Sequence, residues 1–279
     1  MKNLFHTENS KPDKFNKVRA KKHLGQHFLK DEAIAFNIVK AFADECKTNF
    51  VLEIGAGMGV LTKYLLEKKS FETFAIDIDK ESIIWLNEHF PSLKNKLIEG
   101  DFLQMDLNKI FKQPYSLIGN FPYNISSQIV FKIIENRENI PLMVGMFQKE
   151  VAERFCASPR SKEYGILSVL TQAYFDVEYL FTVNENVFDP PPKVKSGVIR
   201  IKRKLVDFDV PEKMLFKVVK AGFNQRRKKL RNALSQFKIS DEILTSSGFS
   251  GKRAEELSIE DFVILTKIII KSSEKDVLM

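Results

Sequence analysis

Phe50-Val51-Leu52-Glu53-Ile54-Gly55-Ala56-Gly57-Met58-Gly59 is a short apolar run that ends in three alternating glycines. The run has the length of a buried strand, and Val60, Leu61, Tyr64, Leu65 and Leu66 then recur with helical period. The unit is therefore strand, glycine loop, helix, which makes the chain α/β. Glycines at such a turn let the backbone approach a ligand closely, as nucleotide-binding α/β folds require. The dinucleotide fingerprint G-x-G-x-x-G would need its third glycine at position 60, where Val60 stands; the glycine falls at Gly59. That spacing argues against a nicotinamide dinucleotide.

An acidic residue before the loop followed by G-x-G-x-G instead resembles the class I methyltransferases, Rossmann-like enzymes that bind S-adenosylmethionine (SAM). The next strands agree. Phe71 to Ile76 runs into Asp77-Ile78-Asp79, about 20 residues beyond the glycines, the separation expected of a carboxylate that accepts ribose hydroxyls. Asp77 is assigned that task and Asp79 the N-cap of a helix from Lys80 to Phe90, although capping alone could explain both. A third strand, Lys96 to Glu99, ends in Gly100-Asp101-Phe102, where Asp101 can accept the amino group of a cofactor adenine; Gly-Asp is also an ordinary turn pair.

The fourth strand, Tyr115 to Gly119, delivers Gly119-Asn120-Phe121-Pro122-Tyr123-Asn124 to the same sheet edge. Pro122 biases Phe121 towards an extended conformation, so carbonyls at Asn120 and Phe121 can face a cleft. An amide oxygen, a backbone carbonyl and the Tyr123 ring together suit the exocyclic amine of a planar base. The same residues can equally be a plain strand-to-helix turn with Asn124 or Ser126 as N-cap. Four successive strand ends thus carry Gly55 and Gly57, Asp77, Asp101 and Asn120, an order that lays a nucleoside-like cofactor along the sheet.

Further on, Pro141 to Gln148 reads as a fifth strand and Lys149 to Phe155 as the start of a helix, with Gly165 to Tyr174 helical and Val177 to Val183 and Val198 to Ile201 as the last strands. Phe188-Asp189-Pro190-Pro191-Pro192-Lys193 is a stiff extended segment, a wall for the target pocket or a rigid connector. Near the N-terminus, Ile34, Phe36, Ile38, Val39 and Phe42 mark a helix with Asp31 as N-cap. The division expected is a basic flexible tail over 1–22, a methyltransferase domain over 23–204 and a small helical domain over 205–279.

The 44 Lys and Arg against 36 Asp and Glu give a formal net charge of +8, which favours a polyanionic partner. Lys193, Lys195, Arg200, Lys202 and Arg203, joined to the run Arg226 to Arg231 and to the N-terminal tail, form a candidate track for RNA phosphates; a solvated helix face is the alternative for the run. Cys46 and Cys156 imply no disulfide framework, and a reducing cytoplasmic setting is expected. No run has the length of a membrane span, and His6, His23, His27 and His89 show no metal-ligand spacing.

Gly25-Gln26-His27-Phe28-Leu29, Leu52 to Gly57, Gly119 to Asn124, Gln148-Lys149-Glu150-Val151, Phe188 to Val194 and Phe223-Asn224-Gln225-Arg226-Arg227-Lys228 together resemble the ribosomal small-subunit RNA adenine N6,N6-dimethyltransferases over nearly the whole length. The resemblance implies that His27, Leu29, Gly55, Asp77, Asp101 and Asn120 line the SAM site, with Asn120 and Tyr123 at the target adenine and Phe188 beside it. It also implies action on two adjacent adenosines near the 3′ end of 16S rRNA within an immature small ribosomal subunit; a monomer is expected. Two departures stand out: Phe121 where leucine is usual and Ala56 where proline is common. An enzyme of the erythromycin-resistance type, acting on 23S RNA, and a ribosome-assembly checkpoint protein of the same fold are the competing readings.

Overall fold

The computed structural model describes residues 18–277. In chain order the elements are β1 (Phe28–Leu29), α1 (Glu32–Ala43), β2 (Phe50–Ile54), α2 (Thr62–Leu66), β3 (Glu72–Asp77), α3 (Lys80–His89), β4 (Leu97–Glu99), α4 (Leu107–Ile110) and β5 (Tyr115–Asn120). They continue with α5 (Ser126–Glu135), β6 (Leu142–Gln148), α6 (Lys149–Cys156), α7 (Ile166–Tyr174), β7 (Phe175–Val183), β8 (Phe188–Asp189) and β9 (Ser196–Arg203). The last part is helical: α8 (Glu212–Asn224), α9 (Leu230–Ala233), α10 (Asp241–Ser246) and α11 (Ile259–Val277).

Seven strands form one sheet in the order β4-β3-β2-β5-β6-β9-β7. The first five are parallel, with Leu52 opposite both Phe74 and Leu117, and β9 is inserted antiparallel between β6 and β7. β2 and β5 are buried along almost their whole length, as central parallel strands covered on both faces must be, which is why they read as continuous apolar runs. On one face α1 buries Ala35, Ile38, Val39 and Phe42 against Val51, Ile118 and Val144. On the other α5 buries Ile129, Val130, Ile133 and Ile134 against Leu52, Leu117 and Met143. In α1 the buried stripe passes through Ala35, whereas Phe36 points outward and meets the Tyr64 ring edge-on. Spacings of three and four residues select Ala35, Ile38, Val39 and Phe42, and Phe36 falls off that face.

Asp31 caps α1 through the amides of Ala33 and Ile34, and Asp79 caps α3 through Glu81 N–H, both as the residue types require. The α5 start differs from expectation: neither Asn124 nor Ser126 caps it, and Ser126 Oγ instead donates to the Pro122 and Tyr123 carbonyls. The helices from α8 onward bury Leu215, Val218, Phe262, Leu265 and Ile269 in the same apolar cluster as the sheet, so the helical part shares its core with the strands.

Residues 1–17 of the basic tail lie outside those described. The rest of it is tied down: Val18 is buried, Lys21 Nζ pairs with Asp79 and reaches Glu81 at 3.2 Å, and Lys22–Leu24 forms a 3-10 turn. An expectation of a flexible tail through residue 22 is corrected to that extent. Among the described residues no helix is long and apolar enough to cross a membrane.

Candidate active site

The strand order reverses between β2 and β5, and open α/β sheets bind ligands at the carboxyl edge of that switch point. The carboxyl ends of β2, β3, β4 and β5 open there on one cavity, lined among others by Gly55, Gly57, Asp77, Asp101, Asn120 and Tyr123, with His27 on its rim segment. These residues come from well-separated parts of the sequence, and parallel strand register brings the ends of β2 to β5 together.

Gly57 sits at φ 56°, in the left-handed region, where a Cβ would also stand 3.0 Å from the Phe28 ring. Its N–H donates to Asp77 Oδ2 at 2.8 Å, while Asp77 Oδ1 accepts from Asp79 N–H at 2.8 Å. Asp77 is 6% exposed, and burial pushes its carboxyl above the ordinary range against the pull of those amides. Each oxygen keeps a lone pair for a ligand hydroxyl. Ile78, 51% exposed, follows as an apolar wall of the cavity.

Asp79 has a task beyond capping. Besides Lys21 it accepts from Gln26 Nε2 at 3.1 Å, and Gln26 Oε1 takes Lys21 N–H at 2.7 Å. Burial alone would raise the Asp79 carboxyl, but Lys21, Gln26 and Glu81 N–H outweigh it and hold it below the usual value. The latch draws the segment from Lys21 to His27 along the cavity rim. Asp101 Oδ1 accepts from Leu103 N–H at 2.8 Å and the residue is half-buried in the cavity wall.

Asn120 Nδ2 donates to the His27 carbonyl at 2.9 Å. Because a carbonyl can only accept, that bond fixes the amide orientation and leaves Oδ1 as the acceptor offered to the cavity. The Tyr123 ring stacks on His27 with centroids 5.4 Å apart and planes 29° from parallel. The Tyr123 hydroxyl is bonded at 2.5 Å to Ser196 Oγ, a fully buried residue, and burial raises its pKa against that bond. His27 Nδ1 lies 2.8 Å from the Pro190 carbonyl and must donate to it, which fixes the imidazole beside the tyrosine ring. An oriented amide oxygen beside a two-ring platform can receive an unstacked base and take a hydrogen bond from its amino group.

Two assigned residues are placed elsewhere. Phe188 is 1% exposed and Leu29 4%, and both side chains lie in the core beneath α1. The cause is the short antiparallel pair of β1 and β8, in which Leu29 faces Phe188. The proline segment does border the site, but through Pro190 and His27 and not through a stacking Phe188. Part of the basic track is also reassigned. Arg200 bonds Glu178 and pairs with Glu45 at 3.6 Å, Lys202 bonds Glu45 at 3.0 Å, and Arg203 donates to the Arg137 and Glu138 carbonyls. Arg226 bonds Glu255 at 2.7 Å and the Ser161 and Lys162 carbonyls, joining the helical part to the loop before α7. Lys193, Lys195, Arg227, Lys228 and Lys229 remain exposed. Among the described residues no group of three or more His, Cys, Asp or Glu is placed to hold a metal.

Ser196, Gln26 and Lys21 are site residues that sequence reasoning does not single out. Gln26 carries a signal, since it lies inside the Gly25 to Leu29 motif; nothing local marks Ser196, whose partner is 73 positions away.

A family model for ribosomal RNA adenine dimethylases matches residues 17–271. The ribosomal RNA small subunit methyltransferase A of Cytophaga hutchinsonii is 56% identical over 254 residues, covering 91% of this chain and 98% of that protein. That of Flavobacterium johnsoniae is 56% identical over 259 residues, covering 91% and 97%. Among solved structures, a dimethyladenosine transferase from Plasmodium falciparum superposes with a TM-score of 0.75 at 27% identity, covering 90% of this chain and 98% of that one. The 23S rRNA methyltransferase ErmE shares the fold, with a TM-score of 0.66 at 24% identity over 87% of this chain and 99% of that one. The chain that carries this cavity belongs to the ribosomal RNA adenine dimethylase family.

Proposed function

We propose that this chain dimethylates N6 of two adjacent adenosines near the 3′ end of 16S rRNA, acting as a monomer on an immature small-subunit particle. The observation that carries the reading is the Asn120 amide in the cavity wall, whose Nδ2 is taken by the His27 carbonyl so that Oδ1 is left as the acceptor, with the Tyr123–His27 stack lining the same cavity. Small-subunit names on relatives 56% identical support this choice of RNA over the 23S alternative.

SAM, when bound, supplies an activated methyl group. The residues present fit it: Asp77 keeps lone pairs for the ribose hydroxyls, Gly55 and Gly57 carry no side chain where they line the cavity, and Asp101 offers Oδ2 to the adenine amino group. At the target, adenine N6 is a poor nucleophile because its lone pair is delocalised into the ring. Hydrogen bonds from N6–H to Asn120 Oδ1 and to a main-chain carbonyl of the same turn favour a pyramidal nitrogen with a localised lone pair. Tyr123, backed by His27, holds the base out of its stack, an interaction of about 1 to 3 kcal/mol per base. The chain thus works by position and electrostatics, and the proton left on N6 passes to water.

The helical part that begins at residue 205 is proposed to bind RNA through Lys213, Lys217 and Lys220 on the exposed side of α8 and through Arg227, Lys228 and Lys229. Incubation with labelled SAM and unmethylated small-subunit particles tests the assignment. Label in 16S rRNA as dimethyladenosine is the expected result, and label only in large-subunit RNA would move the substrate to the 23S class.

A further inference from the structure

Lys132 lies on α5, the helix that follows the Asn120 to Asn124 turn, yet its side chain serves the opposite end of the cavity. Nζ donates to the Leu103 carbonyl at 2.9 Å and to the Met105 carbonyl at 2.5 Å, and it stands 5.3 Å from the centroid of the Phe102 ring. The loop it grips begins at Asp101. Asp101 Oδ1 accepts from Leu103 N–H, and its carbonyl accepts from Gln104 and Met105 N–H at 3.1 Å each. Leu103 is thus held at its N–H by the Asp101 carboxylate and at its C=O by Lys132. Rotation of that carboxylate would break the first bond, and a shift of the loop would break the second.

We propose that Lys132 is a positioning residue for the cofactor: by pinning the loop from Asp101 to Met105 it fixes Asp101 Oδ2 and the Phe102 ring at the place where the cofactor's adenine is read. The inference rests on the reading of Asp101 as acceptor for the adenine amino group. Burial lowers the pKa of the ammonium, opposed by Asp101 on that loop and by Glu135 and Asp106. An apolar side chain there would leave two main-chain carbonyls short of a donor, and the loop would move to find water.

Calorimetry with two ligands separates positioning from general stability. S-adenosylhomocysteine carries the exocyclic amino group, and S-inosylhomocysteine has oxygen in its place. Lys132→Met keeps most of the aliphatic stem and removes the donors; it should weaken S-adenosylhomocysteine about tenfold and the inosyl ligand about twofold or less. Lys132→Gln, which retains an amide donor, replaces it if the methionine variant does not fold and should shift the preference in the same direction. Equal loss for both ligands, or no loss, overturns the proposal. Asp101→Ala is the control. If it leaves the preference between the ligands untouched, the Asp101 reading fails and Lys132 falls with it; if it abolishes the preference while Lys132 variants keep it, only the Lys132 inference fails.

Discussion

Glu53 shows how a residue chosen for one chemistry carries a consequence for another. It stands 1% exposed beneath the glycine loop, accepting from Thr62 Oγ1 at 2.5 Å, and burial raises its pKa from 4.5 to about 8. Between those values the folded chain holds a proton that the unfolded chain has released, so stability falls as pH rises through the window. The size is roughly 2 to 4 kcal/mol, below the full shift because buried carboxyls relax. Glu53→Gln keeps the acceptor for Thr62 without the titration. Urea unfolding across about pH 5 to pH 9 should show the variant matching the parent at the acid end and exceeding it at the alkaline end; parallel curves would remove Glu53 as the cause. The carboxylates at 77 and 101 are legible in the sequence because each ends an apolar run at a fixed place in the strand series. Phe188 misleads because an aromatic heading a proline segment looks the same whether it faces a pocket or the core. Ser196 and Lys132 are illegible for a different reason: each acts on a partner 73 and 27 to 29 positions away, and side-chain reach leaves no local pattern.

Among the elements, β5 and β6 explain how phenylalanine is tolerated at position 121. Gly119 and Gly145 face each other across the two strands, and the Phe121 ring lies over both. A Cβ at 145 would fall 2.0 Å from that ring and one at 119 would fall 2.6 Å from it. Gly145→Ala should therefore cost about 3 kcal/mol of stability, the upper part of the usual range for overpacking. Phe121→Leu in the same chain should return most of the loss, because the smaller side chain vacates the space. A double-mutant cycle by thermal unfolding measures the coupling, and additive losses would show that the two positions do not share a cavity. The parallel core strands and the capped helices are readable from apolar run length and cap residues. The β1–β8 pair is not, since a two-residue strand has no period and its partner is remote in sequence.

At the scale of the whole molecule, the basic residues divide by what they touch. Arg226 is committed to Glu255 and two carbonyls that tie the helical part to the loop before α7, whereas Arg227, Lys228 and Lys229 project from the same turn. Replacing those three by Gln should weaken particle binding and reduce the slope of log affinity against log salt by about 0.7 for each phosphate no longer neutralised. Arg226→Gln should instead lower the unfolding temperature with little change in that slope; the reverse pattern would return Arg226 to the phosphate track. The proposed mechanism centres on the turn at the end of β5. Single-turnover methylation of small-subunit particles by Asn120→Ala, with SAM and particle affinity measured on the same folded protein, tests that turn most directly. Loss of the rate by about a hundredfold or more with particle affinity near the parent's is expected, because on the proposed mechanism the amide oxygen bonds a nitrogen whose shape changes only on the way to reaction. A rate near the parent's from folded Asn120→Ala protein would contradict the catalytic role given to Asn120.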